Sequence, residues 1–203
     1  MTVAEWPVAL RGVTESIVTT EGPNGRWNVA ALGLHVDVSE DDGGGDSDDG
    51  TPPVRARTWG RTRTWRNFRE RGEGYVQFTR DPVDFVDAAL AVREEDDPLL
   101  DGIDTWARVE VTRTGAGEAG ETPWVDWRLE PGESAVERRV VPTTDRGHAA
   151  IVEATVAASR LDVEEYDTGR LRERLDYFED VAVRCGGPRE QAAIERMREL
   201  VEW

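Results

Sequence analysis

The sequence predicts a β-rich α+β chain in which a sheet-forming part, residues 1–141, precedes a helical part, residues 142–203. Three observations predict it. Segments that alternate apolar and polar residues, rich in β-branched side chains, recur through the first part. Asn24-Gly25 lies between two of them, and that dipeptide tolerates the positive φ of a two-residue hairpin turn. After Pro142 the apolar spacing changes to three and four residues, the repeat of one helix face.

The elements follow in order. "VTESIVTT", 13–20, is a strand, and 27–38 is its return partner. "SEDDGGGDSDDGTPP", 39–53, is acidic, glycine-rich and closed by two prolines. It lacks the alternate ligands and terminal glutamate of an EF-hand calcium loop, so it reads as a solvated insertion. "VRARTW", 54–59, is a strand, and "TRTWRNFRE", 62–70, is a short helix with Thr62 or Thr64 as its cap. "GYVQFTR", 74–80, is a strand, and Asp81-Pro82 opens a helix through "VDFVDAAL". Residues 106–113 and 124–130 alternate as strands joined by a glycine-rich loop at 115–120, and "SAVERRVV", 134–141, is a further strand. Ile151, Ala154, Ala158 and Leu161 mark the first tail helix, and Leu171, Leu175, Phe178 and Ala182 the second. Gly186-Gly187 stops it, Pro188 restarts the chain, and Ala193, Met197 and Leu200 line the third.

Composition narrows the setting. Net charge is −17, and all 25 basic residues are arginine. Such acidity suggests a disordered chain, but eight tryptophans and clear apolar patterning predict a folded one. Together they point to a salt-accumulating, GC-rich microbe. At molar salt the screening length falls to about 3 Å, so dense surface carboxylates stop repelling one another. Stability is therefore expected to rise with KCl. The single cysteine, Cys185, excludes an internal disulfide and reads as an inert, partly buried thiol at a helix end. Two distant histidines, His35 and His148, and no C-x-x-C exclude a structural zinc site, so no metal is expected. No apolar run approaches the ~20 residues of a membrane span, and no signal pattern opens the chain. The expected location is the cytoplasm.

One segment contradicts the overall charge. Arg55, Arg57, Arg61, Arg63, Arg66, Arg69 and Arg71 are opposed only by Glu70, with Thr58, Thr62, Thr64 and Asn67 among them. Arginine forks, hydroxyls and a helix start are groups that hold a phosphate. The alternative is that each arginine pairs with a surface carboxylate. Trp59, Trp65 and Phe68 could stack bases, but the charge of the whole chain opposes nucleic acid, and a small anion site fits better. The hairpin adds to this. Ala30, Ala31 and Gly33 give β-strand 27–38 a thin wall where a flat ligand can approach, and Thr19, Thr20 and Asn28 offer polar groups at its end. The alternatives are β-propensity for the threonines and helix packing for the alanines.

"ESIVTT…NVAALGL", "GRTRTWRNF" and "GYVQFTRDPVDFVDAAL" resemble archaeal FMN-binding split-barrel proteins, the family called domain of unknown function 447, related to flavin reductases and pyridoxamine-phosphate-oxidase-like proteins. The resemblance continues in "GHAAIVEATVAASRL" and "DYFEDVAVRCGGPREQAAI". It implies a six-stranded split β-barrel of Greek-key topology, a three-helix C-terminal segment, and a homodimer with FMN at the subunit interface. Matched to the family's N-x-A-x-x-G strand, Asn28, Ala30 and Gly33 lie near the flavin. Matched to its T-x-x-N element, Thr64 and Asn67 lie near the phosphate or ribityl chain. Thr19, Thr20, Ala31, Arg57 and Thr62 join them on physical grounds. The chain departs from the family pattern in Phe68, where an aliphatic residue is usual, and in "VQFTRDP", where Gln77 and Arg80 stand in place of Asn and Asp. His148 and Glu153 read as a polar lining above the flavin or, more simply, as helix-surface residues. The resemblance implies a flavin-dependent oxidoreductase with an unnamed small-molecule electron donor and acceptor. The alternatives are a non-catalytic FMN module and a barrel that has lost flavin and serves as a scaffold.

Overall fold

The computed structural model describes residues 5–36, 53–163 and 165–203, and the chain divides into two compact units. One comprises Met1–Phe78 and Glu94–Arg139, the other Thr79–Arg93 and Val140–Trp203. Most of the acidic segment 39–53, and the last two residues of the strand expected over 27–38, lie outside the described residues.

The first unit is built on a barrel. Its strands are β1 (Gly12–Glu21), β2 (Trp27–Val36), β3 (Val54–Trp59), β4 (Glu73–Phe78), β6 (Thr105–Ala119) and β7 (Thr122–Val136). They pair in the order β1-β4-β6-β7-β3-β2, and β1 pairs back onto β2, which closes a six-stranded antiparallel barrel. A short strand, β5 (Arg93–Glu95), flanks β2. At the first hairpin Gly25 takes φ +76°, and the Gly22 N–H donates to the Arg26 carbonyl at 2.8 Å.

Strand alternation sorts side chains to two sides. Val18, Leu34, Ala56, Val76, Val109, Trp127 and Leu129 fill the interior. Helix α1 (Arg63–Arg71) adds Phe68, 1% exposed and edge-on to Trp127 with ring centroids 5.4 Å apart. The aromatic at that position is a core plug. Burying such a side chain contributes about 1.5–3 kcal/mol.

Two sequence expectations for this unit need correction, and one strand was not expected. The glycine-rich stretch 115–120 is mostly strand: β6 and β7 form a hairpin of two fifteen-residue strands. A Cβ on Gly117 would lie 2.5 Å from Trp124 Cζ2, so glycine stands there because an indole covers it. Residues 134–141 form no separate strand. Ser134–Val136 ends β7, and the Glu137 and Arg138 amides both donate to the Asp104 carbonyl at 2.9 Å, which removes them from strand pairing. Finally, β5 has three charged residues and no apolar alternation to announce it. Beyond Val111, β6 pairs only with β7 among the described residues.

The second unit contains α2 (Pro82–Leu90), α3 (Arg146–Ala158), α4 (Thr168–Cys185) and α5 (Pro188–Leu200). Asp81 caps α2, accepting from the Val83 N–H at 2.9 Å. The predicted stripes Ile151, Ala154, Ala158, Leu171, Leu175, Ala182, Ala193 and Met197 are buried together, with Val86 of α2 among them. α2 also bonds α5, Asp87 accepting from Arg196 at 2.6 Å. A Cβ on Gly147 would sit 2.7 Å from the Gly186 nitrogen. The helix stop at Gly186 has φ −85°, and a Cβ there would lie 2.5 Å from both the Ala182 carbonyl oxygen and Glu190 Cβ, so glycine is required by close contact and not by a left-handed turn. Gly187 then donates its N–H to Glu190 Oε2 at 2.8 Å and opens α5. Cys185, expected to be partly buried, is exposed at the end of α4. No helix among the described residues is long and apolar enough to cross a membrane, and among them no group of three His, Cys, Asp or Glu could hold a metal.

Candidate functional site

Helix α1 lies against β1, β2, β3 and β4. Thr62 caps it, its Oγ1 accepting from the Trp65 N–H at 3.2 Å, and Gly72 ends it at φ +70°. Its buried positions are 64, 67 and 68, the spacing of one helical face turned to the barrel.

That face closes a polar ring. Thr20 and Asn28 are register partners across β1 and β2. Asn28 Nδ2 donates to Thr64 Oγ1 at 3.3 Å. Asn67, three residues on from Thr64, donates from Nδ2 to Thr20 Oγ1 at 3.0 Å and to the Thr20 carbonyl at 3.3 Å. The four residues are 0–7% exposed. A backbone carbonyl only accepts, so the Asn67 nitrogen must face Thr20 and its Oδ1 must face elsewhere. Among the described residues that Oδ1 has no hydrogen-bond partner, and neither has the adjacent Arg66 Nε; both atoms are buried. Unpaired buried groups cost about 1–3 kcal/mol each and are uncommon.

The structure thus brings together Thr20, Asn28, Thr64 and Asn67, with Thr62 at the start of the same helix. It separates the others. Thr19 is fully buried, with its hydroxyl donating to the Pro98 carbonyl at 2.5 Å and accepting from Gln77 Nε2 at 3.0 Å. Gln77 also donates to that carbonyl at 2.9 Å and accepts from the Leu100 N–H at 2.8 Å. These two side chains fasten segment 98–100 to the barrel. Ala30 packs against the barrel core, whereas Ala31 and Gly33 alternate to the other side, paired with Ile17 and Glu15. A Cβ on Gly33 would meet Val13 Cγ1 at 3.5 Å, an ordinary contact.

Arg57 lies on the exposed side of β3, between buried Ala56 and Thr58. Its Nε and Nη2 grip the Asp126 carboxylate at 2.6 and 2.9 Å, and the guanidinium lies 4.0 Å from the Trp124 ring centroid. The Arg57 hydrogen bond holds the Asp126 carboxyl below the usual range, and the same bond raises Arg57. Three more arginines of the basic segment behave similarly. Arg63 pairs with Glu94 at 2.8 Å, Arg71 with Glu21 at 3.2 Å, and Arg69 with Glu70 at 3.3 Å. Surface pairing therefore accounts for these four arginines. Reasoning from sequence named Arg66 only as one of the basic cluster without singling it out, and it missed the bonding of Gln77. In the second unit Glu153 pairs with Arg174 at 2.9 Å, the helix-surface alternative, and His148 is half-buried with its backbone N–H donating to Asp145.

Residues 14–138 match the N-terminal domain of the family described as protein of unknown function DUF447, and residues 145–199 match the family's second domain. A crystal structure of an FMN-bound DUF447 protein from Methanosarcina mazei shares 20% identity, with 95% of this chain and 96% of that chain covered and a TM-score of 0.75. The fold is therefore shared over nearly the whole of both chains. A flavoredoxin from Methanosarcina acetivorans matches at 11% identity over 68% of this chain and 79% of its own, with a TM-score of 0.44. The styrene monooxygenase flavin reductase of Pseudomonas putida S12 matches at 12% identity, covering 64% and 93%, with a TM-score of 0.39.

Proposed function

This chain belongs to the DUF447 family, and from that premise we propose that it binds FMN beside the Thr20–Asn28–Thr64–Asn67 ring and works as a flavin-dependent oxidoreductase. The observation that carries the reading is the unpartnered Asn67 carbonyl in a ring whose other members hold it rigid. A buried acceptor fixed in this way fits a ligand that brings hydroxyl hydrogens, as the ribityl chain of FMN does. The FMN bound in the Methanosarcina mazei protein supports it, since the two chains share a fold.

Each residue has a part in this reading. Asn67 accepts from the ribityl chain, and Thr62 and Thr64 present hydroxyls at the start of α1, where backbone N–H groups favour an anion. Thr20 and Asn28 hold the two α1 side chains in place. Ala31 and Gly33 keep one side of β2 free of bulk, where a flat ring can lie, and Ala30 keeps the strand close to the core. Thr19 acts through Gln77 on segment 98–100. Arg57 is engaged by Asp126 and is not assigned the phosphate. Bound FMN would supply the electron chemistry. The ring contains hydroxyls and amides only, so these residues bind and orient and do not move protons. A non-catalytic FMN carrier would have the same ring, and this is the second reading.

The working form is a cytoplasmic homodimer with the cofactor at the subunit interface, a barrel domain within 1–141 and a helical domain at 142–203 that also takes in Thr79–Arg93. The net charge of −17 without lysine supports a halophilic archaeal source. The experiment is purification in molar KCl, an absorbance scan from about 350 to 500 nm, and addition of NAD(P)H. A yellow protein that bleaches supports the oxidoreductase. One that stays yellow favours the carrier. A colourless protein whose melting temperature does not rise with added FMN would refute both readings.

A further inference from the structure

We propose that Arg66 makes the site select a phosphorylated flavin over its dephosphorylated form, with its Nε–H donating to the ligand's phosphate. This rests on the FMN reading above and goes beyond it by naming a specificity residue.

Two unpaired groups of opposite sense stand on consecutive residues of α1. Arg66 Nε is a permanent cationic donor, and Asn67 Oδ1 is a neutral acceptor; both are buried and without partners among the described residues. A ligand that completes both must bring an acceptor oxygen, best satisfied by an anionic one, and a hydroxyl hydrogen to consecutive residues of one helix. A phosphate monoester of a polyol chain carries that pair. Riboflavin brings neutral hydroxyls alone, whose oxygens can accept from the arginine but leave its charge uncompensated.

Arg66 also differs from four of the arginines around it. Arg57, Arg63, Arg69 and Arg71 each face a carboxylate at 2.6–3.3 Å. Those four are neutralised from within the chain, so a phosphate would have to compete with a carboxylate for any of them. Arg66 stands one turn after Thr62, so the two side chains lie on the same stripe of α1. The Thr62 oxygen already accepts from the Trp65 N–H, which leaves its hydroxyl hydrogen free to donate. A guanidinium fork beside a hydroxyl, at the end of the helix where amides are unpaired, suits the three oxygens of a phosphate.

The test is calorimetric titration of the full chain, freed of bound flavin, in molar KCl with FMN and with riboflavin. The unaltered chain should prefer FMN by roughly tenfold to a hundredfold, the size of a charge-assisted contact. Arg66→Met, which keeps the length and apolar stem, should bring the two ligands within about threefold by weakening FMN alone. Asn67→Ala should weaken both ligands to the same degree, because both carry the ribityl chain. If Arg66→Met leaves the preference intact, or weakens riboflavin equally, the assignment of Arg66 is overturned while the FMN reading stands. If the unaltered chain binds neither flavin, the underlying reading fails as well. Should Arg66→Met not fold, Arg66→Lys carries the test. It keeps the charge and loses the Nε donor, and an FMN preference undiminished in that variant would overturn the proposal.

Discussion

Replacing Gln77 by methionine should loosen the barrel wall by about 2–3 kcal/mol. The side chain is fully buried and makes three hydrogen bonds, to Thr19 Oγ1, the Pro98 carbonyl and the Leu100 N–H, at 2.8–3.0 Å. Each such bond contributes about 0.5–1.5 kcal/mol net. Methionine has nearly the same volume, so no cavity opens, and its apolar burial returns part of the loss. The Pro98 carbonyl keeps the Thr19 hydroxyl as a donor, which reduces the loss further. The Leu100 N–H does not: it is left buried without an acceptor, at about 1–3 kcal/mol. The net figure corresponds to a fall in melting temperature of about 5–10 °C for a chain of this size. Thermal unfolding measures it, and hydrogen exchange localises it, since the Leu100 amide should lose protection before the amides of β4 and β6. A variant that melts within about 1 °C of the parent and keeps Leu100 protected would refute the view that this amide fastens the segment.

Three further outcomes follow. Gly147→Ala forces a methyl against the Gly186 backbone, so denaturant unfolding should show a loss of about 1–3 kcal/mol; an unchanged midpoint would mean the crossing has slack. Asp126 has a depressed pKa because Arg57 donates to it, so its contribution is present above the unfolded carboxylate pKa and disappears as pH falls through the folded value. Comparing Asp126→Asn with the parent should therefore show a small deficit near neutrality, at most about 1 kcal/mol for so exposed a pair, that vanishes once the pH has fallen through the lowered pKa of the folded carboxyl; a deficit that persists in acid would discount the ion pair. Melting temperature should climb steadily from low to molar KCl, because screening relieves repulsion among 42 carboxylates; a flat or falling trend would contradict a halophilic origin.

Much of the architecture was legible in the sequence. Alternation marked β1 to β4 closely, Asn24-Gly25 marked the first turn, and Thr62, Asp81 and Pro188 marked three helix starts. The β6–β7 hairpin was harder to read because glycines at 115 and 117 look like loop residues until Trp124 is placed over one of them. Asp104 could not be foreseen as the end of β7, since it acts from thirty residues away in the chain through its carbonyl. At the site, residue types were informative and charge was misleading. Thr20, Asn28, Thr64 and Asn67 converge because hairpin register and helical spacing are both local properties. The arginine segment drew attention as an anion grip, yet its partners Asp126, Glu94 and Glu21 are distant in sequence, and only three-dimensional contact revealed them.

The long β6–β7 hairpin has a cost that the closed barrel avoids. Among the described residues no strand pairs with the other margin of 112–119, a row of amides and carbonyls about 27 Å long. Such a bare margin is a template on which a strand from another molecule could add. Arg113 and Glu118 place charge along it, and the register shift between Arg113 and Gly115 twists it out of line. Variants that remove those charges or straighten that irregularity should be the ones that aggregate first.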